Sequence, residues 1–332
     1  MSIDALFEVV TLTEAVNQIE RPEMRIFNTL FRGRVHAMDS DAISWDVITG
    51  SQRLLQSISV YAPATVTEKT GRKTITVTAP RLAAKRFVHT AELNRLRAYG
   101  SEQAVELMKQ RIAREQYDMR REIDRTLEYW ASTILQGKLV DADGTTLVDY
   151  GLTSAHKPTA SPLWTDASAD PLKDIRSWKR LIAKDAKVPI TRYYAFVGYE
   201  VMDALLENAK VRDLLKQGRG VQLAEDGKIQ RLAGVDMEEY LGTYVDQNGN
   251  EKYFVDSKHF CLVGIGPDVF DCPYAPVVDD DAPGGVGNPG PRQMYFSKSW
   301  QEKDPSGRWI KVEARPLPIL KAPGAIVYAK AV

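Results

Sequence analysis

The sequence predicts an α+β chain, and three observations predict it. Period-two, β-branched segments cluster between residues 42 and 78, one very long amphipathic helix follows, and alternating helix and strand patterns fill much of the remainder. At 332 residues there is room for two domains of ordinary size. The 44 basic and 44 acidic side chains cancel and the sequence pI is about 6.9, so the basic excess of a sequence-specific nucleic-acid binder is absent. Hydrophobic content of 44% suits a globular chain. No apolar run approaches the ~20 residues that cross a bilayer, and MSIDALFEVV lacks the basic start of a secretory signal. Without an export signal, Cys261 and Cys272 are expected as two reduced thiols.

The first forty residues hold short apolar clusters without a sustained period, the composition of an arm that lies on something else. Three strands are expected next, over Ile43 to Val47, Leu54 to Tyr61 and Lys73 to Thr78, with a turn from Glu68 to Lys73. Thr74, Thr76 and Thr78 face one way, and Ile75 and Val77 the other. Such a two-stranded ribbon is barely stable alone in water and needs a neighbour.

The long helix is expected over Ser101 to Gln136, with Gly100-Ser101 as its cap and Gly137 ending it. Positions 105, 108, 112, 116, 119, 123, 127, 130 and 134 are apolar except Gln116. Their period is roughly 3.6, so this is a straight spine on the order of 50 Å and not a coiled-coil strand.

After a loop from Asp141 to Pro162, Asp170-Pro171 reads as a helix start, with Leu172, Ile175, Trp178, Leu181 and Ile182 as its apolar stripe. A buried strand is expected over Tyr193 to Val197, one helix over Glu200 to Lys216, and a hairpin around Asp246-Gln247-Asn248-Gly249. Phe260 to Val263 reads as another buried strand, and Asp279 to Pro291 as a long flexible loop. A second hairpin closes this run, with Trp300 before its turn. After the turn, Ile310, Val312 and Ala314 alternate with Lys311, Glu313 and Arg315. In its turn Pro305 presets a dihedral and Gly307 supplies tolerance of positive φ. The exit is stiffened by Pro316-Leu317-Pro318.

A search for chemistry yields little. His36, His89, His156 and His259 are scattered without metal-ligand spacing. Gly264-Ile265-Gly266 lacks the rest of a dinucleotide fingerprint, Gly71-Arg72-Lys73-Thr74 lacks the upstream glycine of a phosphate loop, and no nucleophile elbow occurs. Asp279-Asp280-Asp281 leaves a metal-dependent hydrolase as an alternative, although consecutive carboxylates lack the alternation of a calcium loop. No catalytic residue, cofactor or metal is expected.

Arm, ribbon, spine helix and compact α+β block come in an unusual order. In that order, Asp41 to Val47 (DAISWDV), Trp130 to Lys138 (WASTILQGK), Asp246 to Gly249, and Lys298 to Pro318 with its SW, DP and PLP elements resemble the major capsid protein E family of lambda-like tailed phages. That family has the Hong Kong 97-type capsid fold. The resemblance implies an N-terminal arm over 1–40, an extended loop over 41–90, a peripheral domain over 91–164 and 294–315, and an axial domain over 165–293 and 316–332. It implies a non-enzymatic shell subunit, assembled in the host cytoplasm into hexamers and pentamers of an icosahedral virion capsid. Expected partners are other copies of the chain, a scaffolding protein, a portal vertex, a decoration protein at three-fold positions, and double-stranded DNA contacted without sequence specificity. Glu68, Lys69, Arg72 and Lys73 at the ribbon tip, and Lys303, Asp304 and Arg308 at the hairpin, are the expected inter-subunit contacts. Lys69 and Lys73 lie where some members crosslink, but no partner glutamate or asparagine aligns and no crosslink is expected. An encapsulin-like nanocompartment with protein cargo is the alternative shell.

Overall fold

The computed structural model describes residues 8–19, 24–48, 72–92, 101–216, 221–223, 228–284 and 291–332. Helices α1 (Val9–Gln18) and α2 (Arg25–Phe31) precede strands β1 (Val35–Ala37), β2 (Ala42–Ile48), β3 (Arg72–Thr78) and β4 (Leu82–His89). The spine α3 (Ser101–Ile134) leads into β5 (Lys138–Val140) and β6 (Thr146–Asp149). Next come α4 (Pro171–Asp185), β7 (Arg192–Val197), α5 (Tyr199–Glu207) and α6 (Ala209–Lys216). Strands β8 (Val221–Leu223), β9 (Ile229–Leu232), β10 (Val235–Glu239), β11 (Thr243–Val245), β12 (Glu251–Tyr253), β13 (His259–Ile265) and β14 (Phe270–Tyr274) follow. Strands β15 (Tyr295–Glu302), β16 (Gly307–Ala314), β17 (Ile319–Leu320) and β18 (Ile326–Lys330) complete the order. The strand expected over Leu54 to Tyr61, together with Glu68, Lys69 and Gly100, lies outside the described residues.

The chain divides into two compact units. The first gathers residues 1–43, 78–131 and 272–319. Its centre is an antiparallel sheet in the order β15-β16-β4, paired from Tyr295↔Ala314↔Leu82 to Glu302↔Gly307↔His89. One face carries Tyr295, Ser297, Ile310, Val312 and Ala314, all fully buried, and the spine helix lies against it. The spine contributes the expected stripe: Met108, Ile112, Gln116, Met119, Ile123, Leu127 and Trp130 are each at most 5% exposed. Gly137 stops the helix in a left-handed conformation (φ 82°), its amide donating to the Ile134 carbonyl at 2.8 Å.

The second unit gathers residues 44–77, 132–271 and 320–332. Its mixed sheet runs β18-β13-β7-β10-β9-β8, with β7 and β10 parallel and the other neighbours antiparallel. Asp170 caps α4 by accepting from the Lys173 amide, with Pro171 at the first position. The helix docks Trp178 on Phe260 and Trp164, with ring centroids 5.7 and 5.6 Å apart. Gly264 lets the helix approach closely, because a Cβ would lie 3.0 Å from Ile182 and Ile190 and push those side chains aside.

The single helix expected over Glu200 to Lys216 is two helices. Asn208 breaks it: its backbone turns extended (ψ 125°), and its side chain accepts from the amides of Lys210 and Val211 to start α6. The Asp246 hairpin forms as expected, with Gly249 at φ 82°. Lys252, with the Asn250 and Asn248 amides, holds the Asp246 carboxyl down at about 2.

Candidate assembly surfaces

The ribbon of β2 and β3 has two chemically distinct faces. Ser44 and Thr76 share a hydroxyl hydrogen bond of 2.8 Å, and Thr74 donates to Asp46 at 2.6 Å, so the polar face is zipped across the strands. On the apolar face Trp45 is buried, its ring 6.3 Å from Tyr150. Lys73 is exposed at the start of β3, beside Arg72, while Glu68 and Lys69 fall outside the described residues.

The hairpin of β15 and β16 supplies the second surface. Lys303 and Asp304 are exposed in its turn, and Arg308 is half-buried on β16 opposite Gln301. Behind the turn, on the face away from the spine, Trp300, Trp309 and Phe87 form one rung across three strands. Trp309 stands 6.3 Å from Trp300 and 4.9 Å from Phe87, and Lys85 lies 4.6 Å over its ring. These rings stay half-exposed. Gly307 serves this rung and not a positive φ, contrary to expectation. A Cβ there would come within 2.3 Å of the Phe87 ring, so glycine lets the third strand close.

Further along the same face the charges are internal. Glu313 is fully buried and accepts two 2.7 Å bonds from Arg81 and one of 2.9 Å from Lys311. Asp279 accepts from Lys298 and Lys311 at 2.8 and 3.0 Å. Burial pushes both carboxyls up, but these cations outweigh it and hold them below the usual carboxylate range. The start of the loop expected to be flexible is thus anchored, and two ammonium groups occupy both oxygens of Asp279. Among the described residues no group of three or more His, Cys, Asp or Glu is placed to hold a metal ion.

Sequence reading missed a polar seam. Glu115, Gln116, Arg120, Asp124 and Glu128 of the spine are all buried. Gln116 donates to the Leu12 carbonyl and to Ser297, each at 2.9 Å, and Tyr295 donates to Asp124 at 2.5 Å. Arg120 reaches the Val16 carbonyl and stacks 4.4 Å over Tyr295. Glu128 accepts from the Ile26 and Phe27 amides, capping α2 with a carboxylate from another helix. The available signal was the i, i+4 run 116, 120, 124, 128 beside the apolar stripe. Arg315, also nearly buried, donates to Asp41, to the Pro276 carbonyl at 2.9 Å and to the Ala79 carbonyl at 3.0 Å.

Two of the four histidines are held inside the second unit: His156 bonds the Ile326 carbonyl at 2.7 Å, and His259 stacks on Tyr328 at 4.3 Å, whereas His36 and His89 are exposed. Cys261 and Cys272 are both buried thiols with no disulfide, and burial pushes the Cys261 thiol far up. No described helix is long and apolar enough to cross a membrane.

The sequence profile of the phage major capsid protein E family matches residues 8–331. A protein assigned as a prophage capsid protein from E. coli CFT073 superposes with a TM-score of 0.63 at 18% identity, covering 98% of this chain and 99% of its own. The mature capsid of bacteriophage PhiM1 gives 0.51 at 11% identity, over 91% of this chain and 86% of its own. The SrpI encapsulin of Synechococcus elongatus PCC 7942 gives 0.50 at 11% identity, over 95% and 91%. No curated protein matches.

Proposed function

Because this chain belongs to the phage major capsid protein E family, we propose that it closes into hexamers and pentamers of an icosahedral shell around double-stranded DNA. It is a tailed-phage major capsid protein of the Hong Kong 97-type fold, a structural component of the virion. Encapsulins share the fold, so the fold alone does not choose between genome and protein cargo; membership of a phage capsid family supports a genome.

The observation that carries the assembly reading is the hairpin end. Tryptophan is the residue type most enriched at interface hot spots, and here two of them form a half-exposed rung behind an exposed, charged turn. We read Lys303, Asp304 and Arg308 as a junction between copies, and Glu68, Lys69, Arg72 and Lys73 as the ribbon tip that reaches a neighbour. Residues 1–40 act as the arm, 41–90 as the extended loop, 91–164 with 294–315 as the peripheral domain, and 165–293 with 316–332 as the axial domain. Scaffolding, portal and decoration proteins complete the partner set, and assembly takes place in the host cytoplasm. The subunit performs no catalysis on this reading.

Analytical ultracentrifugation with electron microscopy, across a range of concentrations and with scaffold present, is the test. Closed shells are expected, and DNA is expected in particles recovered from infected cells. A chain that stays monomeric under every condition overturns the reading, and protein cargo in place of DNA turns it to a nanocompartment.

A further inference from the structure

We propose that the solvent face of α4 is a phosphate-binding surface for duplex DNA, contacted without regard to sequence. The inference rests on the capsid reading, because it names where on the subunit the enclosed genome is held.

The helix segregates its charges by direction. Lys173, Arg176, Arg180 and Lys184 are all exposed, at spacings of three, four and four residues that place them in one row along one side. Both acids of the helix are engaged elsewhere: Asp174 accepts from the Trp164 indole at 2.9 Å, and Asp185 meets His156 at 3.2 Å. The fifth base, Lys179, is also taken, donating to the Ala233 carbonyl at 3.0 Å and lying 4.8 Å over Tyr193. Asp170, whose charge Arg176 feels, is bonded to the Lys173 amide and the Lys210 ammonium. None of the four side chains in the row forms an ion pair with a described residue. The next helix of the same unit, α5, exposes Asp203 and Glu207 and contains no base at all. A chain of zero formal charge thus concentrates unpaired positive charge on one helix side.

Row geometry selects the ligand. Residues 173 to 184 span about 16 Å of helix at 1.5 Å per residue. Over that length a duplex presents roughly nine phosphates, one per ~1.7 Å of axis, so four aligned cations face a surplus of regularly spaced anions. Exposed residues beside the row are Ser177 and Ala183. No asparagine, glutamine or aromatic ring stands there to read a base edge or stack on a base, which leaves the phosphates as the contact. A flexible acidic peptide has no need of a straight row.

The experiment titrates salt against binding of the full-length chain to a short mixed-sequence duplex, by fluorescence anisotropy. The variant K173Q/R176Q/R180Q/K184Q is compared with the wild type and with K157Q/R212Q/K216Q/K258Q, which removes four exposed bases outside α4. Losing four phosphate contacts lowers the slope of log Kobs against log salt by about 3.6, so a fourfold rise in salt weakens the wild type about 150-fold more than the α4 variant. A smaller change is expected in the control. Equal slopes for wild type and α4 variant, or equal losses in both variants, overturn the proposal. Loss of polyglutamate binding with an unchanged DNA slope also overturns it, in favour of an acidic protein partner. Shells of both variants are counted by electron microscopy. Normal shells with an unchanged slope remove the α4 assignment alone, whereas a wild type that never forms shells removes the capsid reading.

Discussion

Glu313 has no exposed surface, yet its surroundings keep it charged. Burial favours the neutral acid, and the bonds from Arg81 and Lys311 reverse that preference, as Lys298 and Lys311 do for Asp279. Both pKa values are therefore depressed in the folded chain. The stabilisation they provide is complete above the unfolded values, about 4.3 for Glu and 3.9 for Asp, and is lost as pH falls through the lower folded values. Thermal melting is expected to be flat from neutral pH to about 5 and to drop below about 4. Glu313→Gln leaves the exposed Arg81 without its carboxylate and Lys311 with Asp279 alone. It is expected to cost about 1–3 kcal/mol at neutral pH in urea denaturation and to make the acid decline shallower. An acid profile parallel to the wild type would place the acid-sensitive groups elsewhere.

At the scale of elements, α1 is fitted to the open edge of the hairpin sheet. Thr13 accepts from the Ser297 amide at 3.2 Å and donates to its carbonyl at 2.9 Å. One turn on, Asn17 accepts from the Tyr295 amide at 3.3 Å and donates to its carbonyl at 2.8 Å. Four residues of helix rise about 6 Å and two residues of strand about 6.8 Å, so the side chains of a helix stand in for a neighbouring strand. The double variant T13A/N17A is expected to lose about 2–3 kcal/mol of stability. It should also speed amide hydrogen exchange at Tyr295 and Ser297 but not at Phe296, which pairs inward; uniform acceleration of all three would refute the edge role. How far this was legible differs by element. The spine stripe, the Thr74–Thr78 alternation and the Asp246 turn are local patterns, and they were read directly. The arm helices span only ten and seven residues, too short for a period to rise above their polar gaps. Strand β4 escaped because LAAKRFVH sets Lys85 and Phe87 on one face and Arg86 and Val88 on the other, a pattern that makes sense only beside β16. The charges proposed as hairpin contacts are visible in the sequence, whereas the rung behind them needed the register of three strands.

Across the whole chain, cancelled charge limits repulsion when many copies crowd together, and we propose that individual charges set how copies meet. The hairpin tests this. Each exposed pair contributes only about 0–1 kcal/mol, but a shell repeats it many times. Asp304→Lys is expected to reduce shell yield at low salt, and Arg308→Asp in the same chain to restore part of it. An unchanged yield from a folded Asp304→Lys chain would make the turn a solvated one. The contact between α1 and β15 also carries a consequence in time. Thr13 and Ser297 are 284 residues apart, so at 5–20 residues per second the ribosome makes the helix about 15–60 s before it makes the strand that receives it. Throughout that interval Leu12 and Val16, which end with at most 1% exposure, have no partner strand on their own chain. On a polysome, the first hairpin edge to appear nearby belongs to the chain ahead. Exchange of this strand between neighbouring nascent chains is therefore the expected competitor of correct folding, and slower synthesis is expected to favour it.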